Sequence, residues 1–167
     1  MSDLARDPVT PEDAETSAIV RPARSVEAAI STRTVGRFVA TGGVTRGEFG
    51  LFRWEMQARA GGPGPHIHRT FSESFYVLEG RVRVYDGADW TETGPGDFFH
   101  VPKRGIHAFR NDSDEPAAML ILFVPGVPRE AYFSALAEQA RTGRTMVDDE
   151  RTAFLAQHDQ YMVESPA

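Results

Sequence analysis

Three histidines and one glutamate are spaced so that they could meet around a metal ion. His66 and His68 follow the glycine-rich turn AGGPGP, and residues two apart on an extended strand point to the same side. Glu73 comes five residues after His68, and this odd offset requires a bend or bulge if its carboxylate is to join the imidazoles. His107 lies far downstream in GIHAFRN, where an antiparallel partner strand could bring it opposite the pair.

This ligand set predicts a particular kind of metal site. Three neutral imidazoles and one carboxylate suit one divalent transition metal ion, Fe, Ni, Mn, Co, Cu or Zn, and leave positions for water or substrate. The chain has no cysteine, which excludes thiolate metal sites, cysteine nucleophiles and disulfides. Two further histidines are expected elsewhere, His100 exposed on a strand and His158 on a helix in a surface or packing role.

The sequence predicts that short strands joined by turns position these side chains. Apolar Phe52, Trp54 and Met56 alternate with polar residues, and 15 glycines and 11 prolines are spread along the chain. Strands at such regular spacing indicate a sandwich or a barrel. The predicted strands lie within residues 38–40, 49–58, 74–80, 81–87, 98–102, 105–111 and 117–126.

The pattern becomes helical after Gly126. Residues 128–143 begin with a proline and end with a glycine, and residues 148–163 begin with two aspartates, so both segments are predicted to be helices. A length of 167 residues fits one domain with short extensions. Its predicted parts are an arm over residues 1–35 that is weakly ordered or docks on the barrel, a barrel over 36–126, and a helical segment over 127–167 that packs on the barrel.

Seven apolar residues on the predicted strands are candidates for the wall of a substrate pocket. Each one alone is expected to be core filler, but a small-molecule pocket is mostly apolar, so some of the seven must line it. Alternation places Phe75 and Val77 on the same face as Glu73, and it places Phe109 with the second histidine segment. The candidates are Phe52, Trp54, Met56, Phe75, Val77, Phe109 and Phe123.

Charge and hydropathy exclude several classes of partner. The chain has 18 Lys and Arg against 24 Asp and Glu, a net charge of −6, and no basic cluster that would bind nucleic acid. No apolar run approaches the roughly 20 residues that span a bilayer. The N-terminal sequence MSDLARDPVTPEDAE lacks the apolar segment of a secretory signal. We therefore expect a cytoplasmic protein without a membrane partner that acts on a small molecule.

The first histidine segment resembles the first motif of the cupin family. That motif consists of a glycine, five residues, His-x-His, three or four residues, a glutamate, six residues and a second glycine. His66, His68, Glu73 and Gly80 fit this spacing, and the leading glycine is displaced by one position to Gly61. An isolated His-x-His pair would be weak evidence for a metal site, but the surrounding motif makes the match specific.

The second histidine segment resembles the second cupin motif. That motif consists of a glycine, five residues, Pro-x-Gly, two residues, a histidine, three residues and an asparagine. Gly96, Pro102, His107 and Asn111 fit, whereas the inner glycine falls at Gly105, one position late. Neither this departure nor the one in the first motif affects a ligand position.

The resemblance covers about residues 36–126 and implies both a fold and a ligand set. The implied fold is all-β, a single cupin jelly-roll β-barrel, followed here by the two C-terminal α-helices. The implied ligands of a metal inside the mouth of the barrel are His66, His68, Glu73 and His107. Single cupin barrels often pair, so a homodimer is also expected.

The segments SESFYVLEG and GDFFHVPKRGIHAFRN resemble those of small bacterial monocupins, including quercetinase-like flavonol dioxygenases. In those relatives the glutamate can leave the metal and accept the substrate's hydroxyl proton, which would make Glu73 a catalytic base as well as a ligand. The resemblance thus implies a dioxygenase acting on an aromatic or enolic small molecule. Because a fold does not determine a function, two alternatives stay open: a non-oxidative isomerase, cyclase or lyase, and a metal-containing binding protein without turnover.

Overall fold

The structure, a computed structural model, describes residues 18–163 and is mainly β. Residues 1–17 of the predicted arm therefore lie outside the described residues. Its remainder contains a single 3-10 turn, Ala23–Ser25, and a short strand that pairs with the next strand along the chain. This pairing attaches the segment before residue 36 to the edge of a sheet.

Antiparallel pairing arranges eleven strands in three sheets within the described residues. The six-stranded sheet contains, in spatial order, β1 (Ala28–Ile30), β2 (Thr34–Ala40), β3 (Gly50–Met56), β10 (Ala117–Val124), β5 (Ser72–Glu79) and β8 (Phe98–Val101). The three-stranded sheet contains β7 (Trp90–Thr93), β6 (Val82–Tyr85) and β9 (Ala108–Arg110). The two-stranded sheet contains β11 (Tyr161–Met162) and β4 (His66–Ile67).

An isolated bridge between His66 and His107 joins β4 to the residue just before β9. Apart from this bridge, the pairing leaves the three sheets separate in the part of the chain that the structure describes. The architecture is thus mainly β with two helices. Closure of the strands into one jelly-roll barrel stays a prediction.

Two helices follow β10, and the second is shorter than the sequence predicts. The first, α1 (Glu130–Thr142), ends at Gly143, which has the left-handed φ of 70° common after a helix. The second, α2 (Asp148–Gln157), was predicted to reach residue 163, and this was wrong because Asp159 turns left-handed at φ 54°. The chain then extends into β11, which pairs with β4. No helix in residues 18–163 is both long and apolar enough to cross a bilayer.

Aromatic side chains fill the core and attach α1 to the six-stranded sheet. The rings of Phe52 and Phe123, on the neighbouring strands β3 and β10, have centroids 5.1 Å apart. Phe133 of α1 lies 5.5 Å from Phe52, again edge to face. Such pairs add roughly 0.5–1.5 kcal/mol to the burial of the rings. The helix is therefore held against the same part of the sheet that carries Glu73 on β5, next to β10.

Candidate metal centre

Backbone pairing brings the two histidine segments together. The amide of His66 donates to the carbonyl of His107 and the amide of His107 donates back, both at 3.0 Å. The two imidazole centroids lie 4.2 Å apart as a result. The turn before His66 needs glycine at Gly62, because a Cβ there would collide with the carbonyl oxygen of Phe109.

A break between two strands turns Glu73 toward the histidines. Strand β4 ends at Ile67 and β5 begins at Ser72, so the bend that the odd spacing requires lies between them. The carboxylate of Asp159 accepts hydrogen bonds from the amides of Arg69, at 3.0 Å, and Thr70, at 2.7 Å. Residues at the C-terminal end of the described chain thus stabilise the bend that positions Glu73.

The four predicted ligands form one buried cluster. Each is between 1% and 5% exposed, and one nitrogen or oxygen atom from each lies within 4.8 Å of all the others. His107 Nε2 lies 2.7 Å from Glu73 Oε2, and His68 Nε2 lies 3.5 Å from the same oxygen. Ligands on opposite sides of an ion with bonds of about 2.1 Å are about 4.2 Å apart, so only a small contraction would close the cluster around one ion.

Hydrogen bonds to backbone carbonyls orient all three imidazoles in the same way. A carbonyl oxygen only accepts, so each Nδ1 carries the proton and each Nε2 is directed to the cluster. The acceptors are Gly64 O for His66 at 2.8 Å, Asp159 O for His68 at 2.6 Å and Gly105 O for His107 at 3.2 Å. This outer ring of acceptors is the arrangement that supports histidine ligands in metal sites.

The donor atoms fit a divalent ion. His68 Nε2 is buried and has no hydrogen-bond partner in the structure, an arrangement that costs free energy unless another group satisfies the atom. A metal ion held by the cluster would satisfy it. Three imidazole nitrogens and one carboxylate oxygen are ligands that first-row divalent ions accept.

Burial and neighbouring groups set the protonation states of the cluster. Burial, together with the nearby His107, lowers the pKa of His66 to about 3, so this imidazole is neutral at pH 7. Burial alone would raise the pKa of Glu73, but contacts with His107 and His68 outweigh it and hold the pKa well below its usual value. A neutral imidazole and an ionised carboxylate are the forms that bind metal.

A cavity of about 610 Å³ opens from the cluster toward the helices. His66 and Glu73 lie in its wall, and of the seven predicted pocket residues Trp54 and Phe109 lie there too. The other five are buried in the hydrophobic core and are not among the residues of this wall: Phe52, Met56, Phe75, Val77 and Phe123. The alternation of apolar and polar residues identifies the side chains that face inward. The position of each residue along its strand then determines whether its side chain packs in the core or lines the cavity.

The C-terminal segment supplies a part of the cavity wall that the sequence did not predict. Arg129, Tyr132 and Phe133 at the start of α1 line it, together with Gln160 beyond α2. No local motif marks these residues, because their place depends on how the helices pack on the sheets. A buried arginine would have been hard to foresee, since arginine is rarely buried without a charged partner.

The two remaining histidines lie away from the cluster. His100 is exposed on β8, and its Nδ1 lies 2.8 Å from the hydroxyl of Ser74 on β5. His158 follows α2 and packs against Tyr132 and Phe154, with ring centroids 5.4 and 4.9 Å away. These positions agree with an exposed strand residue and a packing residue.

Comparison with known proteins finds a family model that matches the region of this cluster. The family model for the cupin domain matches residues 52–123, a stretch that contains all four clustered residues. Quercetin 2,3-dioxygenase of Bacillus subtilis (strain 168) is 36% identical over 73 residues, which are 44% of this chain and 21% of that protein. The match therefore spans about a fifth of the length of this curated relative.

Solved structures share the fold at lower identity. The polyketide cyclase RemF from Streptomyces resistomycificus is 23% identical with a TM-score of 0.56, over 64% of this chain and 80% of that one. An RmlC-like cupin from Shewanella frigidimarina is 21% identical with a TM-score of 0.57, over 70% and 96%. Residues 52–123 thus match the cupin family model, and the β core shares its fold with these solved structures.

Proposed function

We propose that this protein is a metal-dependent dioxygenase that acts on an aromatic or enolic small molecule. The observation that carries the proposal is the buried cluster of three imidazoles and one carboxylate at the end of an apolar cavity. The partial similarity to quercetin 2,3-dioxygenase supports the reaction class. In this proposal Nε2 of His66, His68 and His107 and the carboxylate of Glu73 hold one divalent ion, Fe, Ni, Mn, Co, Cu or Zn.

In this proposal some residues of the chain would hold the metal ion, and Glu73 would also transfer a proton. A bound divalent ion supplies Lewis acidity, which favours the ionised form of a substrate hydroxyl. Glu73 is ionised at neutral pH and forms part of the cavity wall, so its carboxylate can accept that proton. The backbone carbonyls behind the three histidines hold the rings in place while Glu73 moves the proton.

The cavity suits an aromatic substrate in size and in wall chemistry. A volume of about 610 Å³ is in the range of small-molecule pockets. Trp54, Phe109 and Phe133 give it aromatic walls on which a planar molecule can stack. Burial of the cluster at its inner end keeps bulk water away from the reacting atoms.

Oxygen uptake tests this proposal. Protein loaded anaerobically with each candidate metal should consume oxygen with a flavonol or a 1,3-diketone, and Glu73→Gln should lower the rate by about 100-fold or more. Glu79→Gln is the matched control, because Glu79 lies on the same strand but is exposed and paired with Arg53. The control should keep the wild-type rate. Equal rates for wild type and Glu73→Gln would contradict the role of Glu73.

A second candidate is a non-oxidative reaction in which Glu73 moves a proton without oxygen. The fold shared with a polyketide cyclase supports this second candidate, since the same side chains can serve a cyclisation or an isomerisation. Substrate that changes under nitrogen, with no oxygen uptake in air, would select this candidate. Inertness under both conditions would select binding without turnover. The homodimer and the cytoplasmic location expected from the sequence stay predictions.

A further inference from the structure

Arg129 is a buried charge that the proposed reaction does not use. It precedes α1, is 3% exposed and lines the cavity that contains His66 and Glu73. An arginine remains protonated at neutral pH, so its burial places a permanent positive charge beside the candidate substrate site. Burying a charge is costly unless hydrogen bonds and an opposite charge compensate it.

The surroundings of Arg129 satisfy its guanidinium only in part. Nη1 donates to the carbonyl of His158 at 2.7 Å, and Nη2 donates to Oε1 of Gln160 at 3.3 Å. Nε is buried without a partner, and none of the ion pairs in residues 18–163 includes this side chain. Tyr132 adds a cation–π contact through its ring, 4.0 Å from Cζ, and its side chain also hydrogen-bonds the guanidinium, while Glu73 provides a favourable opposite charge.

A second donor in the same cavity also lacks a partner. Trp54 lines the cavity, and its indole Nε1 is buried without a hydrogen bond. An indole nitrogen and a guanidinium can only donate. A ligand that contacts these two side chains would therefore have to offer acceptor oxygens and, opposite Arg129, a negative charge.

The charges along the cavity wall also favour an anion. Three arginines line it, Arg129, Arg144 and Arg151. Arg144 pairs with Glu150, which leaves two arginines against one carboxylate, Glu73, in a chain whose net charge is −6. A divalent ion at the cluster would more than neutralise Glu73. An excess of positive charge in a cavity with low-dielectric walls raises the local concentration of anionic ligands.

We propose that Arg129 binds the carboxylate of a small aromatic acid whose opposite end faces the histidine cluster. This assignment rests on the proposed function in that it takes the cavity to be the substrate site. A planar guanidinium suits a carboxylate because charge-assisted hydrogen bonds to it are strong and directional. A purely structural arginine would hold His158 and Gln160 in place equally well whatever the charge of the ligand.

The test compares 2-naphthoate with 2-naphthamide, which have similar shape but differ in charge. Calorimetric titration of the metal-free and the zinc-loaded protein should show at least about tenfold tighter binding of the naphthoate. Arg129→Met should abolish this preference in the metal-free protein, where no zinc can hold the carboxylate. Arg141→Met is the control, because Arg141 lies in α1, the helix that Arg129 precedes, but is exposed and paired with Glu138.

A measurement on the wild-type protein keeps the test decisive if Arg129→Met does not fold. The 15N NMR resonance of Arg129 Nε–H should shift when naphthoate is added and should stay in place with naphthamide. Equal binding of the two probes, a preference retained by folded Arg129→Met, or an unmoved resonance would each overturn the proposal. Oxygen uptake tests the proposed reaction, whereas binding of the two probes tests the role of Arg129. The proposed function and the role of Arg129 can therefore fail independently of each other.

Discussion

The fold changes the proton affinity of His66 strongly. Burial and the neighbouring His107 lower its pKa to about 3, and its Nδ1 is engaged by the carbonyl of Gly64. The ring therefore presents a neutral Nε2 lone pair throughout the physiological pH range. The cluster is prepared for metal binding before any ion arrives, because protons do not compete for this nitrogen at pH 7.

This shift predicts how the stability of the metal-free protein depends on pH. The pKa of His66 is about 3 in the folded chain and about 6.5 in the unfolded chain. Between these values the unfolded chain binds more protons, so the free energy of unfolding falls as the pH is lowered through that window. The loss attributable to His66 should be on the order of 4 kcal/mol between pH 7 and pH 3.

Urea denaturation in the presence of a chelator measures this dependence. The variant His66→Gln cannot take up the proton, so its free energy of unfolding should fall less steeply below pH 6.5 than that of wild type. Other carboxylates with lowered pKa values, such as Glu55 and Asp159, act equally in both proteins and cancel in the comparison. Parallel curves for the two proteins would show that burial of His66 does not exclude the proton.

At the scale of elements, the segment after α2 supports the metal centre from outside. The backbone carbonyl of Asp159 accepts from His68 Nδ1, and its side chain accepts from the amides of the bend before β5. Strand β11, two residues later, pairs with β4, which begins with His66. One short segment therefore positions two of the histidines and the bend that precedes Glu73.

Asp159→Asn tests this positioning role. Asparagine tolerates the left-handed backbone at this position, but it removes the negative charge and one acceptor oxygen facing Arg69 and Thr70. We expect metal affinity to fall by about tenfold or more, as for other groups that orient metal ligands, and the melting temperature to fall by a few degrees. Titration with zinc against a fluorescent chelator measures the first effect.

Asp149→Asn is the matched control for this variant. Asp149 lies in the first turn of α2 and is exposed. Its substitution should leave metal affinity at the wild-type value. Unchanged affinity in Asp159→Asn as well would mean that the bend holds Glu73 without this carboxylate.

The sequence could predict the β core and three of the clustered residues because those signals are local, whereas His107, 34 residues after Glu73, joined them through the second motif. The spacing of His66, His68 and Glu73 and the alternation along the strands follow from a few neighbouring residues each. Asp159 and His68 are 91 residues apart, and nothing in the local sequence indicates that they touch. The end of α2 was mispredicted for the same reason, since the helical pattern continues past the residue at which pairing with β4 takes over.

At the scale of the whole molecule, the site is assembled from both ends of the fold. The β core supplies the imidazoles, the carboxylate and two aromatic walls, whereas the C-terminal segment supplies Arg129 and the rest of the wall that the helices contribute. The chain is acidic overall, yet arginines outnumber carboxylates along the cavity. In the function and the ligand preference proposed above, the core would carry the reaction and the C-terminal segment would select the ligand.

The most direct test of the metal centre is a crystal structure of protein purified without added metal, with anomalous data collected at the absorption edges of Fe, Ni, Mn, Co, Cu and Zn. We predict one anomalous peak per chain, within about 2.0–2.3 Å of Nε2 of His66, His68 and His107 and of a carboxylate oxygen of Glu73. Elemental analysis should give about one equivalent of the same metal. A peak elsewhere, or metal-loaded protein with no peak at these four side chains, would contradict this account.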